Sequence, residues 1–410
     1  MTKILLPTLI LGSLFFASCT SDEDNNPITV DPVDVNAPAT YTFERDGSST
    51  VSFDGQTTRI LMATEILSKF TDFDNSTEVS IQNMFAHVEG ANDFSNADLN
   101  ASNKNVRSKV AASQDYFSTN ATGSAQIKTT FDGFISSQIN EVFPNRNTVA
   151  EPGVAGQIAD GTKTRYVNTK GLEYNQAFAK GLLGALMTDQ VLNNYLSEAV
   201  LDEADNRETN NNDVPEVNAN FTTMEHKWDE AYGYVYGLSA NAATPNVTIG
   251  EDDKFLNEYI GRVNEDADFN TIAKDIFEAF KLGRAAIVAN NYEVRDAQAE
   301  IIRAKISEVI AIRGIYYLQQ AKAKIEDGNQ TEAFHALSEA YGFVYSLQFT
   351  RKPTTNSPYL SGTEVNNLTS QLLNDGANGF WTLTPATIDA VSESIAAKFS
   401  FTVVQAASLD

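Results

Sequence analysis

The chain has 410 residues, of which 42% are hydrophobic and 20% charged, and its formal net charge at pH 7 is −25. So acidic a protein is a poor partner for nucleic acid and for anionic membrane surfaces. A single cysteine excludes a fold stabilised by internal disulfides, and only three histidines are available for metal binding or catalysis.

The first 19 residues have the pattern of an export signal. Lys3 precedes an apolar run from Ile4 to Phe16, and Ala17-Ser-Cys19 follows. The cysteine makes this junction resemble the lipobox of bacterial lipoproteins, in which Cys19 becomes the lipidated first residue of the mature chain. An ordinary secretory signal is the alternative. The apolar run is too short for a permanent transmembrane helix.

Residues 20–39 are predicted to form a disordered acidic tether. They begin with Thr-Ser-Asp-Glu-Asp-Asn-Asn and continue with proline and aspartate but little apolar material. An acidic run directly after a lipidated cysteine resembles the signal that sends some Gram-negative lipoproteins to the outer face of the outer membrane. A generic solvated spacer is the alternative. We therefore expect a lipid-anchored protein of the outer membrane, displayed on the cell surface.

The ordered chain is predicted to begin with a small β-hairpin and to continue with helices. Tyr41-Thr-Phe-Glu and Thr50-Val-Ser-Phe alternate apolar and polar residues around a turn at Arg45-Asp-Gly-Ser. Residues 145–170 are predicted to be a loop, and the acidic segment 202–213 a solvated loop, with a calcium site as its alternative. Outside the repeated pattern described next, apolar spacing predicts helices near residues 57–70, 78–89, 104–114, 123–142, 172–199, 268–290, 294–324, 362–374 and 385–399.

One pattern occurs twice in the sequence. His226-Lys-Trp-Asp-Glu-Ala-Tyr-Gly-Tyr-Val-Tyr-Gly-Leu238 returns as His335-Ala-Leu-Ser-Glu-Ala-Tyr-Gly-Phe-Val-Tyr-Ser-Leu347, at an offset of 335 − 226 = 109 residues. Such an offset is too long for a solenoid period and suits two related halves. We predict an all-α fold, a duplicated two-lobed helical bundle with a small N-terminal β-hairpin. It occupies residues 40–400, with halves of about 40–265 and 266–400.

Each copy of the pattern is predicted to be a helix, and we call the two copies the signature helices. A glycine recurs in mid-helix, at Gly233 and Gly342. Mid-helix glycine costs about 1 kcal/mol relative to alanine. Its repetition predicts that another backbone or a ligand approaches closely at both positions.

The signature helices also carry the candidate metal ligands. His226 and Glu230 lie one turn apart on one helix face, and His335 and Glu339 repeat the arrangement. If the helices pack across a pseudo-twofold axis, these side chains can converge on zinc or iron, with Asp229 as a further ligand. The alternative is a pair of hydrogen-bonded contacts that lock helices together.

Four local motifs of common enzyme classes are absent from the chain, and no local signal supports a Ser/His/Asp arrangement, whose members need not be adjacent. The chain has no His-Glu-x-x-His, no Gly-x-Ser-x-Gly, no Walker loop and no Gly-x-Gly-x-x-Gly. The sequence therefore favours a protein that is not an enzyme, with a metallopeptidase as a weaker alternative.

Four segments carry a resemblance to a known family: Tyr41–Phe53, Asn83-Met-Phe-Ala, Lys180-Gly-Leu-Leu-Gly-Ala-Leu and Glu230-Ala-Tyr-Gly. Together they resemble an uncharacterised family of bacterial lipoproteins, similar to the imelysin-like proteins, over nearly all of residues 40–400. Imelysin-like proteins are two-lobed helical bundles of the cell envelope associated with iron uptake. The resemblance implies an all-helical duplicated body and a role in iron acquisition.

The predicted function is a non-enzymatic, surface-anchored lipoprotein that binds a metal ion or metal complex near its signature helices. Iron and zinc are the expected metals, and an outer-membrane transporter is the expected partner, besides the membrane that holds the lipid on Cys19. A scaffold or interaction lipoprotein without a ligand is the alternative.

Overall fold

The structure is a computed structural model that describes residues 35–374 and 378–408. The predicted signal peptide, Cys19 and most of the predicted tether lie outside the described residues. The described part of the chain is mostly helical, which confirms the all-α class, and it forms one compact unit. None of its helices is long and apolar enough to cross a membrane.

Helices carry the fold, and two β-hairpins accompany them. The strands are β1 (Glu44–Arg45), β2 (Ser48–Ser49), β3 (Gly156–Asp160) and β4 (Lys163–Val167). The helices are α1 (Asp54–Lys69), α2 (Glu78–Phe85), α3 (Ala97–Ala101), α4 (Gln114–Phe117), α5 (Ala121–Ser137), α6 (Tyr174–Leu182), α7 (Glu198–Leu201), α8 (Asn206–Asn211), α9 (Thr223–Tyr236), α10 (Leu256–Asn264), α11 (Ile272–Val288), α12 (Tyr292–Glu326), α13 (Ala333–Ser346), α14 (Gly362–Asn374), α15 (Pro385–Ala396) and α16 (Val403–Ala407).

The N-terminal hairpin lies where the sequence predicted it. Strands β1 and β2 pair antiparallel, and the backbone N–H of Thr50 donates to the carbonyl oxygen of Phe43 at 2.9 Å beyond them. The turn residues Asp46 and Gly47 have φ angles of 52° and 76°. Positive φ at both central residues is typical of the two-residue turn that joins twisted strands, and Asp-Gly is a favoured pair for it.

The second hairpin was not predicted from the sequence, since residues 145–170 were expected to be a loop. Strands β3 and β4 pair in register from Gly156↔Val167 to Asp160↔Lys163. Only Ile158 and Val167 are large apolar side chains buried in these strands. The apolar alternation that identifies a strand is therefore nearly absent.

The predicted helix at 172–199 is the most deeply buried part of the fold. The chain is helical from Tyr174 to Tyr195, but α6 continues into π-helical turns at Leu183–Thr188 and Val191–Tyr195. Every residue from 177 to 193 is buried. A helix that is buried on all sides belongs in the centre of a large core.

The two signature helices form as predicted, as α9 and α13, and each packs on a helix that follows a hairpin. Helix α9 packs on α1, after the first hairpin, and α13 packs on α6, after the second. Along the chain, the first hairpin and α1 come first, the second hairpin and α6 follow, and their partners α9 and α13 come later in the same order. Because α6 belongs to the first predicted half and α13 to the second, the two halves share one core. Helix α12 packs against both α11 and α13.

The repeated glycines mark the points of closest approach. A Cβ atom at Gly342 would lie 2.4 Å from Cβ of Lys180 in α6, and one at Gly233 would lie 2.4 Å from Cβ of Phe53, which precedes α1. Real Cβ atoms essentially never come this close. The predicted close approach is therefore confirmed in both signature helices.

We expect Gly342→Ala to destabilise the protein by about 1–3 kcal/mol, because the added methyl group must force α6 and α13 apart. The gain of about 1 kcal/mol in helix propensity offsets only part of this steric cost. Gly314→Ala in α12 is the control, since its Cβ would lie an ordinary 3.5 Å from Cβ of Phe343. Urea unfolding measures both variants, and equal stabilities would contradict the packing argument.

Candidate functional site

The first signature helix contacts the segment that leads into α1. The Nδ1 atom of His226 lies 3.1 Å from the carbonyl oxygen of Ser52, and its ring stacks on Phe221 with centroids 4.4 Å apart. One turn later, Gln56 Nε2 donates to Glu230 at 2.9 Å, and Lys227 Nζ lies 3.1 Å from the same carboxylate. Both members of this predicted pair therefore have protein partners.

Asp229 belongs to a buried ion cluster. Its carboxylate accepts hydrogen bonds from Tyr41 Oη at 2.6 Å and from Arg284 Nε at 3.1 Å. Arg284, which is fully buried, also donates to Glu225 at 2.9 Å and to the hydroxyl of Thr50 at 2.9 Å. Burial raises the pKa of Asp229 to about 6, although the neighbouring Arg284 acts to lower it. Because this pKa is below 7, the carboxylate is mostly ionised at pH 7.

The second signature helix places its histidine beside two carboxylates. The Nδ1 atom of His335 lies 2.9 Å from Oε1 of Glu173, a buried residue that directly precedes α6. Its Nε2 atom lies 3.8 Å from Oε2 of Glu339, and Lys180 Nζ lies 3.3 Å from that carboxylate. A carboxylate on Nδ1 fixes the orientation of the ring and leaves Nε2 as the atom that can meet a ligand.

Both His335 and Glu339 line an open cavity of about 630 Å³, which we call the His335 cavity. Its volume falls in the range of about 300–1,000 Å³ that is usual for small-molecule sites. Positive charge predominates in the wall: its cations are Lys163, Arg165, Lys180, Lys254 and Arg262, and its carboxylates are Glu258 and Glu339. Asp160 pairs with Arg165 just outside the wall at 2.8 Å. An excess of cations remains, in a protein whose net charge is strongly negative.

Arg313 adds a further positive charge behind the wall. Its guanidinium lies 4.5 Å from the ring centroid of Tyr317 and 5.7 Å from that of Tyr259, two tyrosines that line the cavity. The residue is only 3% exposed, and its Nε atom has no hydrogen-bond partner among the residues that the structure describes. The aromatic faces stabilise this cation, and among the described residues no acceptor at Nε offsets its positive charge.

Helix α10 supplies Glu258, Tyr259 and Arg262 to the cavity. It follows Asp253, a buried residue whose carboxylate accepts a hydrogen bond from the backbone N–H of Phe255 at 2.6 Å. Burial raises the pKa of Asp253 from its ordinary value of 3.8 to about 7. The segment just before α10 therefore contains a carboxyl group that titrates near neutral pH.

The structure does not bring the two His/Glu pairs into one cluster. Between residues 35 and 408, leaving out 375–377, no group of three or more His, Cys, Asp or Glu side chains could hold a metal ion. His335 and Glu339 share a cavity, whereas Asp229 neutralises Arg284. In the acidic segment 202–213, the short helix α8 takes the place of half of the expected loop. The carboxylate of Asp202 pairs with Arg295 at 2.7 Å.

Sequence reasoning missed the partners that complete the His335 cavity. Glu173 lies 162 residues from His335, and Tyr259 and Tyr317 come from helices that carry no repeated pattern. One signal was available: Lys180 is a lone cation within the strongly apolar stretch that becomes α6. A buried lysine needs a carboxylate or a ligand nearby.

We expect Arg284→Met to lower the free energy of unfolding by about 3–5 kcal/mol, because it leaves Asp229 and Glu225 buried without their cation. Arg107→Met is the control. Arg107 pairs with Asp132 at 2.7 Å, and 36% and 27% of the two side chains are exposed. A pair that water reaches contributes less than a fully buried one, about 0–1 kcal/mol. Urea unfolding followed by circular dichroism compares the two, and similar losses would disprove a special role for the buried cluster.

A second expectation concerns pH. The folded chain binds a proton at Asp253 more tightly than the unfolded chain does, so this group's contribution to stability is full below about pH 4 and is lost as the pH rises through about 7. Asp253→Asn cannot ionise. Its unfolding free energy, relative to the parent protein, should therefore increase between pH 4 and pH 8.

Denaturant midpoints across this pH range measure the effect. Glu251→Gln, at an exposed position two residues earlier, is the control and should follow the parent protein at every pH. A difference between Asp253→Asn and the parent that stays constant with pH would contradict the assignment.

No curated protein and no solved structure gives a significant match to the chain. Residues 38–402 match the family described as a domain of unknown function, DUF4856. The match spans both hairpins, both signature helices and every residue that lines the His335 cavity. The chain therefore belongs to the DUF4856 family.

Proposed function

We propose that the protein is a non-enzymatic lipoprotein, anchored at the surface of the outer membrane through Cys19, that binds a metal complex in the His335 cavity. The observation that carries this proposal is the orientation of His335 by the buried carboxylate of Glu173, with Nε2 facing Glu339 across 3.8 Å in an open cavity. A histidine held from behind by a carboxylate is the usual arrangement of a metal-ligating imidazole.

The charges around the cavity favour a metal complex over a free ion. His335 and Glu339 supply two ligands, fewer than zinc or iron normally takes from a protein. A chelator can supply the remaining ligands. Because the wall carries more cations than carboxylates, an anionic chelate meets attraction where a bare cation meets repulsion.

The proposed biological role is accessory to iron uptake, beside an outer-membrane transporter. It rests on the lipobox-like Cys19, on the acidic tether and on the resemblance to imelysin-like proteins. Iron is the preferred metal of the proposal and zinc the second. The competing functions are a ligand-free scaffold or interaction lipoprotein and, more weakly, a metallopeptidase.

Isothermal titration calorimetry on the chain from residue 35 onward, the unit that folds compactly, tests the proposal. We expect ferric citrate to bind, and His335→Gln to weaken its binding at least about tenfold, or about 1.4 kcal/mol. His226→Gln is the matched control, because His226 lies outside the lining of the His335 cavity. It should bind ferric citrate as the parent protein does.

The other ligands in the titration separate the competing readings. Zinc or iron binding without citrate, lost in His335→Gln, would replace the chelate with a free ion. Citrate binding equally well without iron would remove the metal from the proposal. No binding of any of these ligands would favour the scaffold, and chelator-sensitive cleavage of denatured protein would favour the peptidase.

A further inference from the structure

A second and larger cavity lies on the part of the fold that α5 and α14 cover. It has a volume of about 710 Å³ and is open to solvent, and we call it the amide cleft. Its walls come from α4 and the first half of α5, from the end of α13 and the chain after it, and from the start of α14. None of its lining residues belongs to the His335 cavity.

The amide cleft is nearly without charge. Asp115 is the one charged side chain among its 17 lining residues, although 20% of the whole chain is charged. Arg351, itself 5% exposed, pairs with Asp115 and neutralises it. A ligand of this cleft is therefore expected to be neutral, because a charged group would lose its hydration without gaining a counterion.

Amide and hydroxyl groups take the place of charges in the wall. Gln126 on α5 and Asn366 on α14 have no side-chain hydrogen bond to any residue that the structure describes, and Asn120 uses only its Oδ1, which caps α5. The wall further contains Thr122 and Thr363. Amides donate and accept at once, as do hydroxyls, so both suit a ligand that is itself covered with hydroxyl groups.

An aromatic ring completes the set. Phe117 is half-buried in the lining and packs with Tyr116 and Phe349, at centroid distances of 6.5 and 6.2 Å. These contacts hold the ring in place while part of it stays accessible. A fixed aromatic ring among polar groups offers apolar contact to the C–H face of a sugar ring.

The first half of α5 has the position of a wall and not of a core element. Its buried residues are Phe131, Phe134 and Ile135, all in its second half. Residues 121–130 are exposed or half-exposed throughout. Ile127 attaches this half of the helix to the core, while Thr122 and Gln126 on the same half line the cleft.

From these features we infer that the amide cleft binds a neutral oligosaccharide. The hydroxyl groups of the sugar would hydrogen-bond with Gln126, Asn366 and Asn120, and one sugar ring would lie against Phe117. The inference is independent of the metal complex proposed for the His335 cavity, because it concerns other residues and an uncharged ligand. It implies that the protein contacts polysaccharide.

Calorimetry with maltohexaose, cellohexaose, mannohexaose and the charged hexagalacturonate tests the inference on the chain from residue 35 onward. We expect at least one neutral hexasaccharide to bind with Kd below about 1 mM, and Gln126→Ala/Asn366→Ala to raise that Kd at least about tenfold. Both residues are exposed, so the double variant should keep the thermal midpoint of the parent. Phe117→Ala should weaken binding as well.

Asn367→Ala is the matched control, since Asn367 is an exposed amide next to Asn366 that lies outside the cleft. It should leave sugar binding unchanged. The inference is overturned if no neutral hexasaccharide binds, if hexagalacturonate binds as tightly as the best neutral sugar, or if Asn367→Ala weakens binding as much as the double variant.

Discussion

The buried guanidinium of Arg284 is the contact on which the N-terminal part of the fold depends. It joins α11 to two carboxylates of α9 and to Thr50 after the first hairpin, while Tyr41 of the same segment donates to Asp229. A buried charge requires such partners, since each unpaired ion costs several kcal/mol to desolvate. The hairpin is thereby fixed against α9, and the segment that follows it is placed where His226 reaches Ser52.

The two signature helices show how a repeated sequence acquires different chemistry. His226 meets a backbone carbonyl, whereas His335 meets the carboxylate of Glu173 at the corresponding place before the other helix. A carbonyl holds a ring in position. A carboxylate also accepts a hydrogen bond from the near nitrogen, so that the far nitrogen is the one turned toward a ligand. One residue before a helix, outside the repeat itself, therefore distinguishes a packing contact from a candidate binding site.

Local patterns in the sequence predicted the local parts of the structure. The spacing of apolar residues located most of the long helices, Asp46-Gly47 located the first turn, and the repeated glycine predicted the close approach at Gly342. The helix predicted near residues 104–114 was wrong, since this segment forms only a 3₁₀ turn at Arg107–Lys109. Helix α10 was not predicted. The second hairpin was not predicted because its strands are mostly polar and therefore show no alternation of apolar and polar residues. The His335 cavity was not predicted because its lining residues are spread along the chain between Leu67 and Glu339. Their proximity depends on tertiary packing that no short pattern encodes.

The interleaved order of the packing pairs has a consequence for how the chain reaches this structure. Helix α1 must wait for α9, and Gln56 is separated from its partner Glu230 by 174 residues. Helix α6 likewise waits for α13, with 162 residues between Glu173 and His335. Neither pair can close while only the first half of the polypeptide has been synthesised. Contacts of such long sequence separation slow folding and leave apolar surface exposed meanwhile. During biogenesis the early helices therefore need protection from aggregation until the second half of the polypeptide, with α9 and then α13, has been synthesised.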